Sequence, residues 1–468
     1  MATDFDMVVI GSGPGGYTAA IRAAQLGFRT AIVEKYKVLG GTCTNVGCIP
    51  SKAMLDSTEN FDIIQHKASK QGIEVGNLNL NFPALVDRNK NVVKQNNDGL
   101  NFLMKKNKIQ VFTGVGSFVN NTSITVTNEG EAPKTVTSQY FIIATGSKPS
   151  TLPGINIDKQ RIITSTEALY LKEKPGSMVI IGGGVIGVEL ASAYHRIGTK
   201  VTIIEYADSL IPTMDKELGK ELGKLLSKSG IELITGSPVK SAENTGSSVK
   251  VTYTDANKAE KEITADYCLV AVGRKSYTAG LALENTKVKL DAKGMVEVNE
   301  NLQTAEPNIY AIGDVIRGAM LAHKAEDEGI AVVDGLKGHQ HKINYLRIPG
   351  VVYTWPEVAG VGYTEEQLKA EGIEYRKGKF PFLASGRARA SDDTDGFVKV
   401  LSDPKYGEIL GVHIIGARAA DLIASAVIAM EFELTDTELT KISYAHPTFA
   451  EALKDAFLIS SGKGAINI

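Results

Sequence analysis

Laid on itself with a shift of 171 residues, the chain repeats. Met7-Val8-Val9-Ile10-Gly11-Ser12-Gly13-Pro14-Gly15-Gly16 falls on Met178-Val179-Ile180-Ile181-Gly182-Gly183-Gly184-Val185-Ile186-Gly187. Further along, Ala20 meets Ala191, Gly27 meets Gly198 and Glu34 meets Glu205. Each copy reads as a short apolar strand, a G-x-G-x-x-G turn, a helix, and a second strand ending in an acid 23 residues after the first glycine. That spacing predicts two Rossmann-like, doubly wound α/β domains that bind dinucleotides. Gly11 and Gly182 make the tight turn, Gly13 and Gly184 admit a pyrophosphate to the backbone, and Gly16 and Gly187 let the helix pack on its strand. The helix N-terminus then faces the phosphates. Glu34 and Glu205 are placed to accept hydrogen bonds from a ribose 2′-OH. A carboxylate at Glu205 repels a 2′-phosphate, and no Arg stands among the next ten residues, so the second site is expected to prefer NAD over NADP.

Around the copies, about 56–108 reads as helical and 109–143 alternates in strand fashion. Phe141-Ile142-Ile143-Ala144-Thr145-Gly146 and Leu269-Val270-Ala271-Val272-Gly273-Arg274 are buried strands ending in small turns. Ile309-Tyr310-Ala311-Ile312-Gly313-Asp314 is a third, ending in an acid. From about Tyr345 strands alternate with helices such as 419–432, which suggests a separate α+β domain. Lys and Arg total 51 against 53 Asp and Glu, with no run of five like charges, so neither nucleic acid nor an anionic membrane surface is an expected partner. The best apolar run, Leu422 to Met430, is half the length of a membrane span. A strand begins within the first ten residues where a targeting segment would lie, so the protein is expected to be soluble and intracellular, in the cytoplasm or, if a presequence has been removed, the mitochondrial matrix.

Three cysteines in 468 residues exclude a disulfide scaffold. Cys268 lies in an apolar strand and reads as a buried bystander. Cys43 and Cys48 lie five apart in Gly40-Gly41-Thr42-Cys43-Thr44-Asn45-Val46-Gly47-Cys48-Ile49-Pro50-Ser51-Lys52, directly after the first dinucleotide motif. Pro50 suits a first helical turn, which puts Cys48 at a helix N-terminus where a thiolate is stabilised. A redox-active disulfide is the better reading of the pair. A structural or metal role is the alternative, and a metal would need further ligands that this loop lacks; no metal is expected.

The segment Gly41 to Lys52 closely resembles the active-site loop of the flavin-dependent pyridine nucleotide–disulfide oxidoreductases, particularly the dihydrolipoamide dehydrogenases among them. The resemblance runs the whole chain, through Ala144-Thr145-Gly146-Ser147, Ala311-Ile312-Gly313-Asp314, Met320-Leu321-Ala322-His323 and His446-Pro447-Thr448-Phe449-Ala450-Glu451. It implies FAD at the first motif and NAD at the second, with residues 1–149 as the FAD domain, 150–275 as the NAD domain, 276–345 completing the FAD domain and 346–468 forming a dimerisation domain. It places Gly41, Thr42, Lys52, Gly116, Thr145, Gly146, Ser147, Asp314, Met320, Leu321, Ala322 and His323 at FAD. Glu189, Val239 and Gly273 go with NAD, and Lys52 and Glu189 near the reactive edge of the flavin. It further implies that His446, paired with Glu451, is the acid–base group for a substrate thiol and reaches the disulfide of the partner subunit in a homodimer. Electrons would pass from a dihydrolipoyl group through Cys43 and Cys48 to FAD and on to NAD. The substrate arm would come from a lipoyl-bearing protein of a 2-oxoacid dehydrogenase or glycine cleavage complex.

Three other readings fit less well. An NADPH-dependent reductase of glutathione-like disulfides would want Arg after the second motif, where Glu205-Tyr206-Ala207-Asp208 stands. A mercuric-ion reductase would want a cysteine pair in the tail, which has none. A noncatalytic flavoprotein scaffold predicts a broken redox loop, yet Cys43, Cys48, Lys52, His446 and Glu451 are all present. One departure is Trp355, where many relatives carry His or Glu.

Overall fold

Residues 3–467 are described by a computed structural model. They pack as two compact units drawn from separated stretches of chain. The first takes the chain up to Ala53 with Pro83–Ser150 and Gly273–Ile343. The second takes Met54–Phe82, Thr151–Val272 and the chain from Asn344 onward. The class is mixed α/β, as expected.

The first unit rests on a parallel sheet in the order Gln110–Thr113, Thr30–Glu34, Phe5–Ile10, Lys134–Ile143, with Ile309–Ala311 also paired to Lys134–Ile143. Met7, Val8, Val9 and Ile10 are all buried, which explains their unbroken apolar run: a parallel strand is covered on both faces. Each such side chain contributes roughly 1.5–3 kcal/mol of burial. The helix Pro14–Gln25 presents small residues inward because the helix Ala322–Leu336 lies in backbone contact with it. A Cβ on Gly15 would come 2.8 Å from the Ala325 carbonyl, and one on Gly329 would come 2.9 Å from that of Gly15.

The second unit repeats the plan with a parallel sheet ordered Glu232–Ile234, Lys200–Ile204, Ser177–Ile181, Tyr267–Val270, Ile162–Ile163. The repeat extends beyond what the residues alone display, since each unit adds an antiparallel meander. In the first it is Val115–Asn120, Ser123–Thr127 and Lys134–Ile143; in the second, Val239–Asn244, Val249–Thr254 and Glu260–Ala265. Cys268 is fully buried in Tyr267–Val270, and burial pushes its thiol up to about 12.

The C-terminal part of the second unit is an antiparallel sheet ordered Gly350–Val352, Glu357–Gly362, Ile409–Gly416, Phe397–Ser402, Arg376–Pro381. The helices Ala419–Glu431 and Glu451–Ser460 close its core over Val361, Phe380, Val398, Val400 and Ile414. Truncating Phe380 to Ala would cost about 3–5 kcal/mol. Among the described residues, no helix is long and apolar enough to cross a membrane.

Candidate active site

The two glycine turns share one construction. Gly11 and Gly182 sit at φ +105 and +108, where a side chain would lie 2.3 Å and 2.5 Å from the carbonyl oxygens of Ala144 and Ala271. Gly16 and Gly187 would each drive a Cβ to 2.0 Å from the carbonyl of the first glycine. Gly13 and Gly184 differ. A Cβ there meets nothing within 4 Å, so the space before the helices starting at Pro14 and Val185 is open. Unsatisfied N–H groups and the positive end of the helix dipole suit that space to an anion.

Each acid is held against its own turn. Glu34 accepts from Ser12 N at 3.0 Å, Ser12 Oγ at 2.6 Å and Tyr36 N at 3.0 Å. Glu205 accepts from Gly183 N at 2.5 Å and Ala207 N at 2.7 Å. A carboxylate has about four acceptor positions, so neither is saturated.

The cysteine loop leans on the first turn, with the Cβ position of Gly41 only 2.7 Å from Gly13 Cα. Asn45 Nδ2 donates to Leu39 O and Gly41 O, and Asn97 donates to Asn45 in turn, which fixes the short helix Gly41–Val46 carrying Thr42 and Cys43. Cys48 opens the helix Cys48–His66 with Pro50 in its first turn. Cys48 is exposed and Cys43 half-buried, and both are thiols. The hydrogen bond to Cys48, burial, and the charges of Cys48 and Glu326 all push the Cys43 thiol up. The pair is unequal in setting: Cys43 is half-buried, whereas Cys48 is exposed at a helix N-terminus, a position that favours a thiolate. Lys52 lies one turn after Cys48 on the same side of that helix, half-buried.

Asp314 Oδ2 accepts from Ser147 Oγ at 2.5 Å, and Arg274 Nε donates to the same hydroxyl at 2.7 Å. Beneath them, Gly313 N donates to Glu328 and its carbonyl accepts from Lys324 at 3.0 Å; Lys324 and Glu328 are paired at 2.9 Å and wholly buried. Thr145 Oγ1 donates to Tyr277 O, and Gly146 turns at φ +70. Gly116 sits in Val115–Asn120 against the side chains of Val33 and Ile10. Met320 and Leu321 precede the helix that starts at Ala322 and His323. Tyr17 Oη donates to Glu326 Oε1 at 3.0 Å, joining the two close-packed helices. Burial, with Glu326, Cys43 and Cys48 adding to it, holds the Tyr17 phenol well above its ordinary range.

In the second unit, Glu189 is buried on the helix Val185–Arg196 and accepts from Tyr353 N at 3.0 Å. Val239 begins the meander strand Val239–Asn244. Gly273, at φ +101, falls within the first unit. His446 Nδ1 meets Glu451 Oε1 at 2.8 Å, and Glu451 opens the helix Glu451–Ser460. Burial opposes ionisation of Glu451, but hydrogen bonds from Thr448 N and His446 outweigh it and hold the carboxyl below its usual range.

Arg274, Tyr17, Glu326, Lys324 and Glu328 escape a reading of the sequence. Small residues facing each other at Gly15 and Gly329 were the only available hint of the helix contact that brings Tyr17 to Glu326.

The family model for pyridine nucleotide–disulphide oxidoreductases matches residues 5–329, and the model for the dimerisation domain of the same family matches 348–457. The chain belongs to the pyridine nucleotide–disulphide oxidoreductase family. It is 43% identical over 459 residues to dihydrolipoyl dehydrogenase 1 (mitochondrial) of Arabidopsis thaliana, covering 98% of this chain and 90% of that one. It is 44% identical over 460 residues to a leghemoglobin reductase of Glycine max, covering 98% and 88%. The crystal structure of LpdA from Mycobacterium tuberculosis superposes with a TM-score of 0.90 at 25% identity, over 96% of this chain and 98% of that one. As a member of the family the chain is an oxidoreductase, and its cofactors are FAD and NAD. The two glycine turns fit such dinucleotides: each has open space at Gly13 or Gly184, a helix N-terminus behind it and an unsaturated carboxylate beside it. Among the described residues no cluster of His, Cys, Asp or Glu is arranged to hold a metal.

Proposed function

We propose that the chain is a dihydrolipoyl dehydrogenase that oxidises protein-bound dihydrolipoyl groups to lipoyl groups with NAD as acceptor. The observation that carries this reading is the pair Cys43 and Cys48, with Cys48 at a helix N-terminus and the loop that carries Cys43 packed against the first glycine turn. Residues 1–149 and 276–345 form the FAD domain, 150–275 the NAD domain and 346–468 the dimerisation domain. Gly11, Gly13, Gly16, Glu34, Thr42, Ser147 and Asp314 hold FAD, with Arg274 and the Lys324–Glu328 pair orienting Ser147 and Asp314. Gly182, Gly184, Gly187 and Glu205 hold NAD. When bound, FAD accepts an electron pair from a thiolate and passes it as hydride to NAD.

The chain's own groups manage the sulfur and proton steps. His446 Nδ1 is engaged by Glu451, which leaves Nε2 to take the proton of the first substrate thiol. That thiolate attacks Cys43 Sγ; the Cys43–Cys48 bond breaks and Cys48 leaves as thiolate. The second substrate thiol attacks the sulfur joined to Cys43 as its proton passes to the departing Cys43 sulfur. The substrate disulfide closes, leaving one proton on Cys43 and the first on His446. Two electrons and two protons have left the dithiol. Lys52 and the helix N-terminus stabilise the charge left on Cys48. The side chain of His446 is 80% exposed in the single chain, which suits a base that serves the cysteine pair of the partner subunit across a homodimer.

The lipoyl arm belongs to another protein, a component of a 2-oxoacid dehydrogenase or glycine cleavage complex. The enzyme works where that partner is found, the bacterial cytoplasm or the mitochondrial matrix. The test is turnover by the purified holoenzyme. Dihydrolipoamide with NAD should give NADH, with NADP at least about tenfold poorer. Reduction of oxidised glutathione by NADPH in place of that reaction would overturn the assignment.

A further inference from the structure

Lys399 occupies the middle of Phe397–Ser402, a strand buried along its whole length among Val398, Val400 and Leu401. A buried lysine is costly unless its charge is paired. Its ammonium is fully engaged: Nζ donates to Asp215 Oδ1 at 2.6 Å, Glu217 Oε2 at 3.1 Å and Glu365 Oε2 at 3.1 Å. Two of those carboxylates come from the stretch that follows Glu205.

Asp215 is the hub. Its Oδ1 also caps the helix Lys216–Ser229 by accepting from Glu217 N at 3.0 Å, and its Oδ2 accepts from Glu365 N at 3.0 Å. His413 Nε2 lies 4.0 Å away and meets Tyr363 O at 2.9 Å. Upstream, the stretch between Glu205 and Asp215 is tied to the second glycine turn. Ile211 N donates to Gly183 O at 2.8 Å, and a Cβ on Gly183 would lie 2.5 Å from Leu210 Cδ2. Ile211 is buried at φ +44, a conformation that β-branched residues avoid unless their surroundings impose it. The Cβ position of Gly219 is 2.4 Å from Leu210 O, so the capped helix presses on the same stretch. The Glu205–Asp215 segment is thus fastened at one end to the glycine turn and at the other to Lys399.

We infer that Lys399 is a positioning residue for NAD: the C-terminal sheet, through Lys399 and Asp215, sets the second glycine turn and Glu205 in the arrangement that binds the nucleotide. The inference rests on the second turn being the NAD site.

Steady-state kinetics on the holoenzyme test it, with NAD varied at saturating dihydrolipoamide and dihydrolipoamide varied at saturating NAD. Lys399→Met should raise KM for NAD by about tenfold and leave both KM for dihydrolipoamide and the single-turnover rate of dithiol oxidation unchanged. Because Lys399→Met strands three carboxylates and can fail to fold, Glu365→Gln is the second variant; it keeps the shape and should raise KM for NAD in the same direction, by about threefold. Unchanged KM for NAD in the folded variants overturns the proposal. So does an equal rise in both KM values, the mark of general loosening. A wild-type enzyme that turns over with NADP but not NAD overturns the assignment of the second turn, and this proposal with it.

Discussion

His446 Nδ1 and Glu451 Oε1 lie 2.8 Å apart, with the carboxylate fixed by Thr448 N at 2.8 Å and the imidazole left open at Nε2. The fixed carboxylate selects the tautomer with hydrogen on Nδ1, which leaves Nε2 to take a proton. His446→Gln should lower kcat/KM for dihydrolipoamide by about 10²–10⁴-fold. Glu451→Gln should lower it less, by about tenfold or more, and flavin content should be unchanged in both. Steady-state assay and the flavin absorbance of the purified variants check this.

The glycine turns give a paired prediction in which neighbouring glycines fail differently. Gly13 is at φ −63 with open space where a Cβ would go, so Gly13→Ala should fold normally and lose flavin. Gly16→Ala would set a Cβ 2.0 Å from the Gly11 carbonyl, so the strand–helix junction itself must give. Its thermal midpoint should fall by several degrees, whereas that of Gly13→Ala, compared with flavin-free wild type, should stay within a degree or two.

Glu205 is held by Gly183 N and Ala207 N at the mouth of the second turn. Glu205→Ser removes the charge that repels a 2′-phosphate. The ratio of kcat/KM for NAD to that for NADP should fall by about tenfold, mostly through weaker use of NAD. A ratio that does not move would separate Glu205 from cofactor choice.

The cluster around Lys399 has a pH signature. Burial opposes ionisation of both Asp215 and Glu365. For Asp215, His413 and the Lys399 hydrogen bond prevail; for Glu365, hydrogen bonds from Lys369, Tyr375 and Lys399 prevail, and both carboxyls sit below their ordinary values. Lys399 is displaced upward, its burial outweighed by Asp215 and Glu217. Lowered carboxyl values mean a stabilisation that is complete above the unfolded value, about pH 4, and lost as pH falls through the folded one. The raised lysine value means a stabilisation present below about pH 10 and lost above it. Lys399→Met should therefore be least stable relative to wild type near neutrality, by about 3–5 kcal/mol. The gap should narrow as pH drops toward 3 in denaturant titrations.

How much of this the residues announced depends on how local each signal is. The strand, turn, helix and terminal acid of each copy lie within 23 residues, and Gly11, Gly16, Gly182 and Gly187 each have a steric reason to be where they are, so both turns were legible. So was the placement of Cys48, because Pro50 marks a first helical turn. The meanders were less visible, since their strands share periodicity but not residues. Tyr17 and Glu326 lie 309 residues apart, and Asp215 and Lys399 lie 184 apart. Nothing in either neighbourhood names its partner. Lys324 and Glu328 stand four apart and look like an exposed helical pair; only the packing of Gly313 over them shows a buried pair that carries the Asp314 turn. Trp355 lies under Lys67, 5.2 Å from the ring centroid, and packs against the core of the C-terminal sheet.

We propose that Cys48 is the thiolate that faces the flavin while Cys43 exchanges with the substrate. Anaerobic titration of the holoenzyme with NADH, followed by absorbance, tests it most directly. Wild type should develop a long-wavelength band from thiolate-to-flavin charge transfer, and Cys48→Ser should keep its flavin and lose that band. A band that persists in Cys48→Ser, or a wild-type enzyme that shows none, rules out Cys48 as the flavin-facing thiolate.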